Sequence, residues 1–156
     1  MPNCVEIIAG IKGASLWALV FITSSFASLI AAAVLNLGPF TFWLSPAALG
    51  VALALVSIAA FVFYPRMKPD NIKGCIDWNL DLQCRDWWNA LVDNYRALFN
   101  IFIAAFLAII AALGAAFWFP GLAAPAIAVA IFAHFPLIFL VPDYRRRVEN
   151  IKNCVP

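Results

Sequence analysis

Two stretches of this chain, residues 13–65 and 97–142, contain no Asp, Glu, Lys or Arg. They run for 53 and 46 residues. One lipid-spanning helix takes roughly 20 apolar residues, so each stretch has room for two helices and a turn. A soluble fold has no comparable use for such runs. Soluble domains are about half apolar and about a quarter charged, whereas this chain is 65% apolar and 12% charged. Water would meet more apolar surface than 156 residues can hide, and lipid as solvent resolves the imbalance. In lipid the backbone must satisfy its own hydrogen bonds, leaving helices or closed barrels. Long runs of Ala and Leu without two-residue alternation select helices.

The sequence therefore predicts an all-α integral membrane protein with four transmembrane helices in two tandem hairpins. The helices are expected at about 14–35, 45–64, 97–119 and 123–141. Asn36, Gly38 and Pro39 mark the first turn, and Pro120-Gly121 the second. Ser45-Pro46 starts a helix, with Pro in the first turn. Trp43 and Trp118 flank the turns, while Trp78, Trp87 and Trp88 fall between the runs, positions that suit a headgroup layer. A secretory signal peptide is not expected, because the first apolar stretch is too long, follows Glu6 and Lys12, and offers no convincing small-residue cleavage site.

The halves read as copies of one another. Pro65 leads through a basic patch to Asn71-Ile72-Lys73-Gly74-Cys75, and Pro142 leads likewise to Asn150-Ile151-Lys152-Asn153-Cys154. Cys4 pairs with Cys84 in this scheme, Pro39 with Pro120, and Pro46 with Pro125, all at offsets of 77–81 residues. Two helices per unit insert both copies the same way, so the expected relation is a pseudo-twofold axis along the membrane normal. The units are a first hairpin over 1–74, an interfacial linker over 75–96, and a second hairpin with its polar tail over 97–156. Within the linker, Ile76, Leu80, Cys84, Trp87, Trp88 and Leu91 recur at three- and four-residue spacing. That spacing predicts either an amphipathic helix lying in the interface or a linker that anchors the third helix.

All ten Lys and Arg lie outside the charge-free runs, on the side that holds both termini. The positive-inside rule places that side in the cytoplasm. The cysteines pull the other way. Cys4, Cys75, Cys84 and Cys154 all lie on the charged side, one before and one after each hairpin. Disulfides persist in oxidising compartments and are rare in the cytosol. Structural disulfides, free thiols lipidated beside the membrane, and a metal site are the open readings. The last lacks the Cys-x-x-Cys or nearby His of ordinary ligand sets. If bonds form, chain geometry favours Cys4–Cys75 and Cys84–Cys154, because a hairpin brings its own ends to within roughly 8–10 Å. The other pairing considered joins Cys4 to Cys154 and Cys75 to Cys84.

Polar residues inside a membrane are the default place to look for function. His134 is the one ionisable candidate, with Ser57 at its repeat-equivalent position and Asn100 in the third helix. The bland reading of His134 is a neutral imidazole bonded to a neighbouring helix, near a carbonyl freed by Pro136. Thr23, Ser24, Ser25 and Ser28 read as interhelical glue, and Ala104, Ala108, Ala111, Ala112 and Ala115 as small residues for close helix approach. No carboxylate lies within the spans, and no Ser–His–Asp set or phosphate-cradling Gly loop stands out. The expectation is a non-enzymatic protein without cofactor, catalytic residue or metal. Its expected partners are the lipid bilayer and other membrane subunits or copies of itself, with no nucleic acid. It would serve as an accessory subunit or a self-associating scaffold. An oligomeric channel or small-solute transporter is the alternative, and a membrane thiol oxidoreductase a more distant one.

Residues Pro39-Phe40-Thr41-Phe42-Trp43-Leu44-Ser45-Pro46 resemble part of the oleosin proline knot, Pro-x5-Ser-Pro-x3-Pro. Gly50 stands where the last proline would be, and the second hairpin does not reproduce the pattern. The paired-hairpin plan is similar in outline to reticulon-type and prenylated-Rab-acceptor-type membrane proteins. That likeness is one of architecture, and neither similarity assigns a family.

Overall fold

The computed structural model describes residues 3–79 and 82–156. Among these the chain is helical, without strands, and four helices are long and apolar enough to cross a membrane.

Helix α1 spans Cys4–Leu37. Asn3 starts it, its side-chain oxygen accepting from the Val5 N–H at 3.2 Å, which satisfies one of the donors left open at a helix N-terminus. It stops at Gly38, where the Thr41 hydroxyl folds back to donate to the Leu35 carbonyl at 2.9 Å. A Cβ at residue 38 would lie 2.1 Å from the Thr41 oxygen, so this cap requires glycine for space. A short 3-10 turn over Phe42–Leu44 leads into α2, Ser45–Ile58, with Pro46 in its first turn.

The helix then widens over Ala59–Phe63 into a π turn, in which the Tyr64 N–H donates to the Ala59 carbonyl five residues back at 2.9 Å. Two 3-10 segments, Pro65–Met67 and Pro69–Cys75, carry the chain away. Helix α3 spans Cys84–Trp118 and, after a 3-10 turn at Pro120–Leu122, α4 spans Ala123–Lys152. Pro136 and Pro142 lie inside α4 without ending it.

Three helices outrun their expected limits, all at the charged end. The first begins at Cys4 rather than about residue 14, the third at Cys84 rather than about 97, and the fourth ends at Lys152 rather than about 141. Loss of apolarity marks where lipid could stop, not where backbone hydrogen bonding stops. The linker also takes another form than one helix over 75–91. Residues 76–79 are not helical, Leu80 and Asp81 lie outside the described residues, and helix resumes at Cys84 as the first turns of α3. Its apolar stripe of Cys84, Trp88 and Leu91 faces the bundle core.

The helices form a ring in the order α1, α2, α3, α4. Each packs on its two neighbours, and α2 meets α3 far less extensively than α1 meets α4. The centre is filled by Ile22, Leu29, Leu49, Leu98, Ile109 and Leu137, all fully buried. Close approach of α3 uses Ala105, Ala112 and Ala115, which are buried. Ala104 and Ala111, expected on that face, point outward instead.

Between α1 and α2, three serine hydroxyls donate across the seam: Ser25 to the Ala52 carbonyl at 2.9 Å, Ser28 to Ala48 at 2.7 Å, and Ser45 to Ala32 at 3.0 Å. As one residue number rises the other falls, the register of an antiparallel hairpin.

Cys4 is bonded to Cys75 and Cys84 to Cys154, with Cα separations of 5.8 and 5.9 Å. This is the pairing that brings together the two ends of each hairpin. Both bonds sit at the charged end, where the Asp77 N–H also donates to the Cys154 carbonyl at 2.9 Å.

Candidate functional site

Two places gather chemistry. The first is a buried polar hub. Helix α4 delivers His134 to the centre of the bundle, where it is fully buried. Its Nδ1 stands 2.9 Å from the Ala130 carbonyl, one turn back on the same helix. A carbonyl only accepts, so Nδ1 carries a proton. Nε2 stands 3.0 Å from the Ser25 hydroxyl of α1, and that hydroxyl also reaches the Ala52 carbonyl of α2. The neutral ring accepts at Nε2, so the single serine proton is shared between Nε2 and the carbonyl. The hub thus ties α1, α2 and α4 together.

The carbonyl used is Ala130, not one freed by Pro136, because a ring at position 134 folds back along its own helix toward the preceding turn. Ser57 and Asn100 do not join the hub. Ser57 is half-buried on α2, and Asn100 is exposed on α3 and faces a different feature.

That feature is the second site, an open groove of about 800 Å³ on the α2/α3 side, between α3 and the π turn and 3-10 segment that continue α2. At the charged end its mouth carries Lys68 and Arg96. Beside them, the Tyr64 and Tyr95 rings stack with centroids 4.3 Å apart. They bond reciprocally: Tyr64 Oη donates to the Tyr95 carbonyl at 2.6 Å, and Tyr95 Oη to the Tyr64 carbonyl at 3.1 Å. Deeper, the wall becomes Phe61, Phe99, Phe102, Ile103, Phe106 and Leu107, with Asn100 as the one polar side chain among them. The π turn aims Phe61 across at Phe106, edge to face at 6.2 Å. Such turns recur at functional positions in helices.

The opposite seam, between α1 and α4, is shut. Lys12 pairs with Glu149 at the charged end, Ser25 meets His134 midway, and Phe26 packs edge to face on Phe135 at 5.4 Å. Further polar locks hold the charged end. The Tyr144 hydroxyl donates to the Met67 carbonyl. Asp143 accepts from Asn94 at 2.9 Å, from Arg147 at 2.9 Å and from Arg146 at 2.6 Å.

Sequence reasoning found His134 but passed over Tyr64, Tyr95, Lys68 and Arg96 as a group. A signal existed: Tyr64 and Tyr95 sit at the inner borders of the two charge-free runs, beside Pro65 and Arg96. Cysteine readings other than bonded ones lose their chemistry, because a disulfide sulfur is no thiolate for lipidation or metal binding.

No protein-family model matches the chain, and no curated protein or solved structure shows a significant likeness to it.

Proposed function

We propose that this protein is a multi-pass integral membrane protein with a structural role, as an accessory subunit of a larger membrane assembly or as a self-associating scaffold. The observation that carries this reading is the inversion of its surface. In the most apolar window of each long helix only 22–28% of residues are buried inside the bundle. The outward face is dense with Phe132, Phe139, Phe99, Val129 and Trp17, a surface for lipid or neighbouring helices. Inside, the hydroxyls of Ser25, Ser28 and Ser45 and the ring of His134 are engaged in holding helices together. Asn100 lies apart from them, which weakens the picture of a shared polar path. Cys75, Cys84 and Cys154 are buried, which supports structural rather than exchanging disulfides.

The likeness of the two halves supports an internal duplication. The bonded cysteines are separated by 71 and 70 residues, and α1 and α3 have 34 and 35 residues, each beginning at a cysteine. Each first helix passes through a three-residue 3-10 segment into the second. The bonds favour an oxidising compartment for the charged face, against the positive-inside rule. That rule has little purchase here, since the far turns carry no charge to compare.

Alkaline extraction followed by purification in mild detergent tests the role. The expected result is a membrane-retained protein that cross-links to itself or carries a second chain. A strictly monomeric protein with no companion, or solute flux in liposomes, would overturn it.

A further inference from the structure

We infer that the open seam between α2 and α3 is a binding site for one anionic phospholipid, headgroup at Lys68 and Arg96 and acyl chain along the Phe-lined wall. The inference rests on the membrane reading above. Its first support is the division of one groove: two cations and two tyrosines at the charged end, then a wall that is apolar except for Asn100. An amphiphile with a negative head matches that division. Among the described residues Arg96 makes no ion pair, and Lys68 has only Asp70, at 3.7 Å with both side chains more than half exposed. Such a contact is weak and leaves the ammonium available to a phosphate.

The second support is depth. From Arg96 to Leu107 the helix rises about 16 Å at ~1.5 Å per residue. That is roughly half of a hydrocarbon core about 30 Å thick, the reach of a single leaflet's chain. The third is shape. Helix–helix contacts in lipid favour small residues that let backbones approach. This wall presents Phe61, Phe99 and Phe106 instead, an irregular surface that a flexible chain can follow. The volume lies within the range of about 300–1,000 Å³ common for small-molecule sites.

The fourth is the asymmetry of the seams. The α1/α4 seam is closed along its length by an ion pair, a hydrogen bond and an aromatic contact, whereas the α2/α3 side, bridged by the tyrosine pair and by Phe61 on Phe106, packs less extensively and leaves the groove beside a π turn. A bundle of two like hairpins has two comparable seams, and the one left open is the one that ends in Arg96 and the weakly paired Lys68.

Native mass spectrometry of the disulfide-intact protein tests this, with phosphatidylglycerol or phosphatidylcholine of identical chains as probe. The parent is expected to retain one phosphatidylglycerol in preference to phosphatidylcholine. Lys68→Gln with Arg96→Gln is expected to weaken that retention roughly tenfold or more, two surface cations' worth of attraction. Lys73→Gln with Arg85→Gln, which removes two exposed cations of the same face outside the groove, is expected to leave it unchanged. Ile103→Trp, which fills the apolar half at an exposed position, is expected to displace the lipid with both cations in place.

Equal retention of the two lipids, equal loss in the two double variants, or undiminished binding to Ile103→Trp would overturn the site. So would Ile103→Cys dimers that persist in phosphatidylglycerol, since a second copy would then occupy the groove. Alkaline extraction separates the two layers of inference. A protein released by alkali defeats the membrane reading and the lipid site together. A retained protein that fails to discriminate defeats the lipid site alone.

Discussion

His134 and Ser25 show how one hydroxyl can organise three helices. The imidazole needs a partner at each nitrogen, and the fold supplies the Ala130 carbonyl at one and the Ser25 hydroxyl at the other. Removing the ring takes away both contacts and leaves a void in a filled core. His134→Ala is therefore expected to cost about 2–5 kcal/mol, the range of large-to-small core changes. Ser25→Ala leaves almost no void and forfeits the interhelical bonds, so about 0.6–1.7 kcal/mol is expected, the scale of such bonds in lipid. Unfolding of the two variants in mixed detergent micelles gives the comparison, and a serine variant hurt more than the histidine variant would sink this account. A lone His inside a charge-free run was easy to find in the sequence because nothing else nearby ionises. Its partner was not, because several hydroxyls, including Thr23, Ser24 and Ser28, were equally plausible. Thr23 and Ser24 instead bond to their own helix, at the Leu19 and Val20 carbonyls, and only the facing of α1 distinguishes Ser25 from them.

At the scale of elements, the four helices were legible because two charge-free runs and two Gly/Pro turns leave little else to build. Their ends were less so. Residues 84–96 hold Arg85, Asp86, Asp93 and Arg96 among apolar positions, which reads as linker by composition. Yet Cys84, Trp88 and Leu91 fall on one helical face and are buried against the bundle, so packing extends the helix beyond the apolar run. The π turn of Ala59–Phe63 left no mark in a sequence of ordinary apolar residues, and with it the groove went unseen. The stop of α1 is more local and more readable. Gly38 is required because Thr41 returns to cap the Leu35 carbonyl. Gly38→Ala is expected to displace that side chain and cost about 1 kcal/mol, a cap's typical worth. Thr41→Ala, which loses the same cap without a clash, should come close to it in the same micellar titration. A silent Gly38→Ala would remove the steric argument.

For the whole molecule, the disulfides close loops of 71 and 70 residues. A freely unfolding chain would gain roughly 4 kcal/mol from each such closure. In lipid the disrupted state keeps its helices inserted, with the ends of each hairpin already near one another, so there is less freedom to remove. Cys84→Ser with Cys154→Ser is expected to lower stability by clearly less than about 4 kcal/mol in micelles, where a full chain-entropy loss would argue against inserted helices. The pairing also has a bearing on biosynthesis. Four cysteines permit three connectivities, and a ribosome delivers them one at a time. At about 5–20 residues per second, Cys4 waits some seconds for Cys75, the first thiol able to reach it. Cys84 follows only nine residues behind Cys75, about 0.5–2 s at that rate, sooner than the seconds to hours a disulfide takes to form. Order of arrival therefore leaves Cys84 competing with Cys4 for Cys75, and the nearness of each hairpin's own ends, not timing, is what selects the native connectivity.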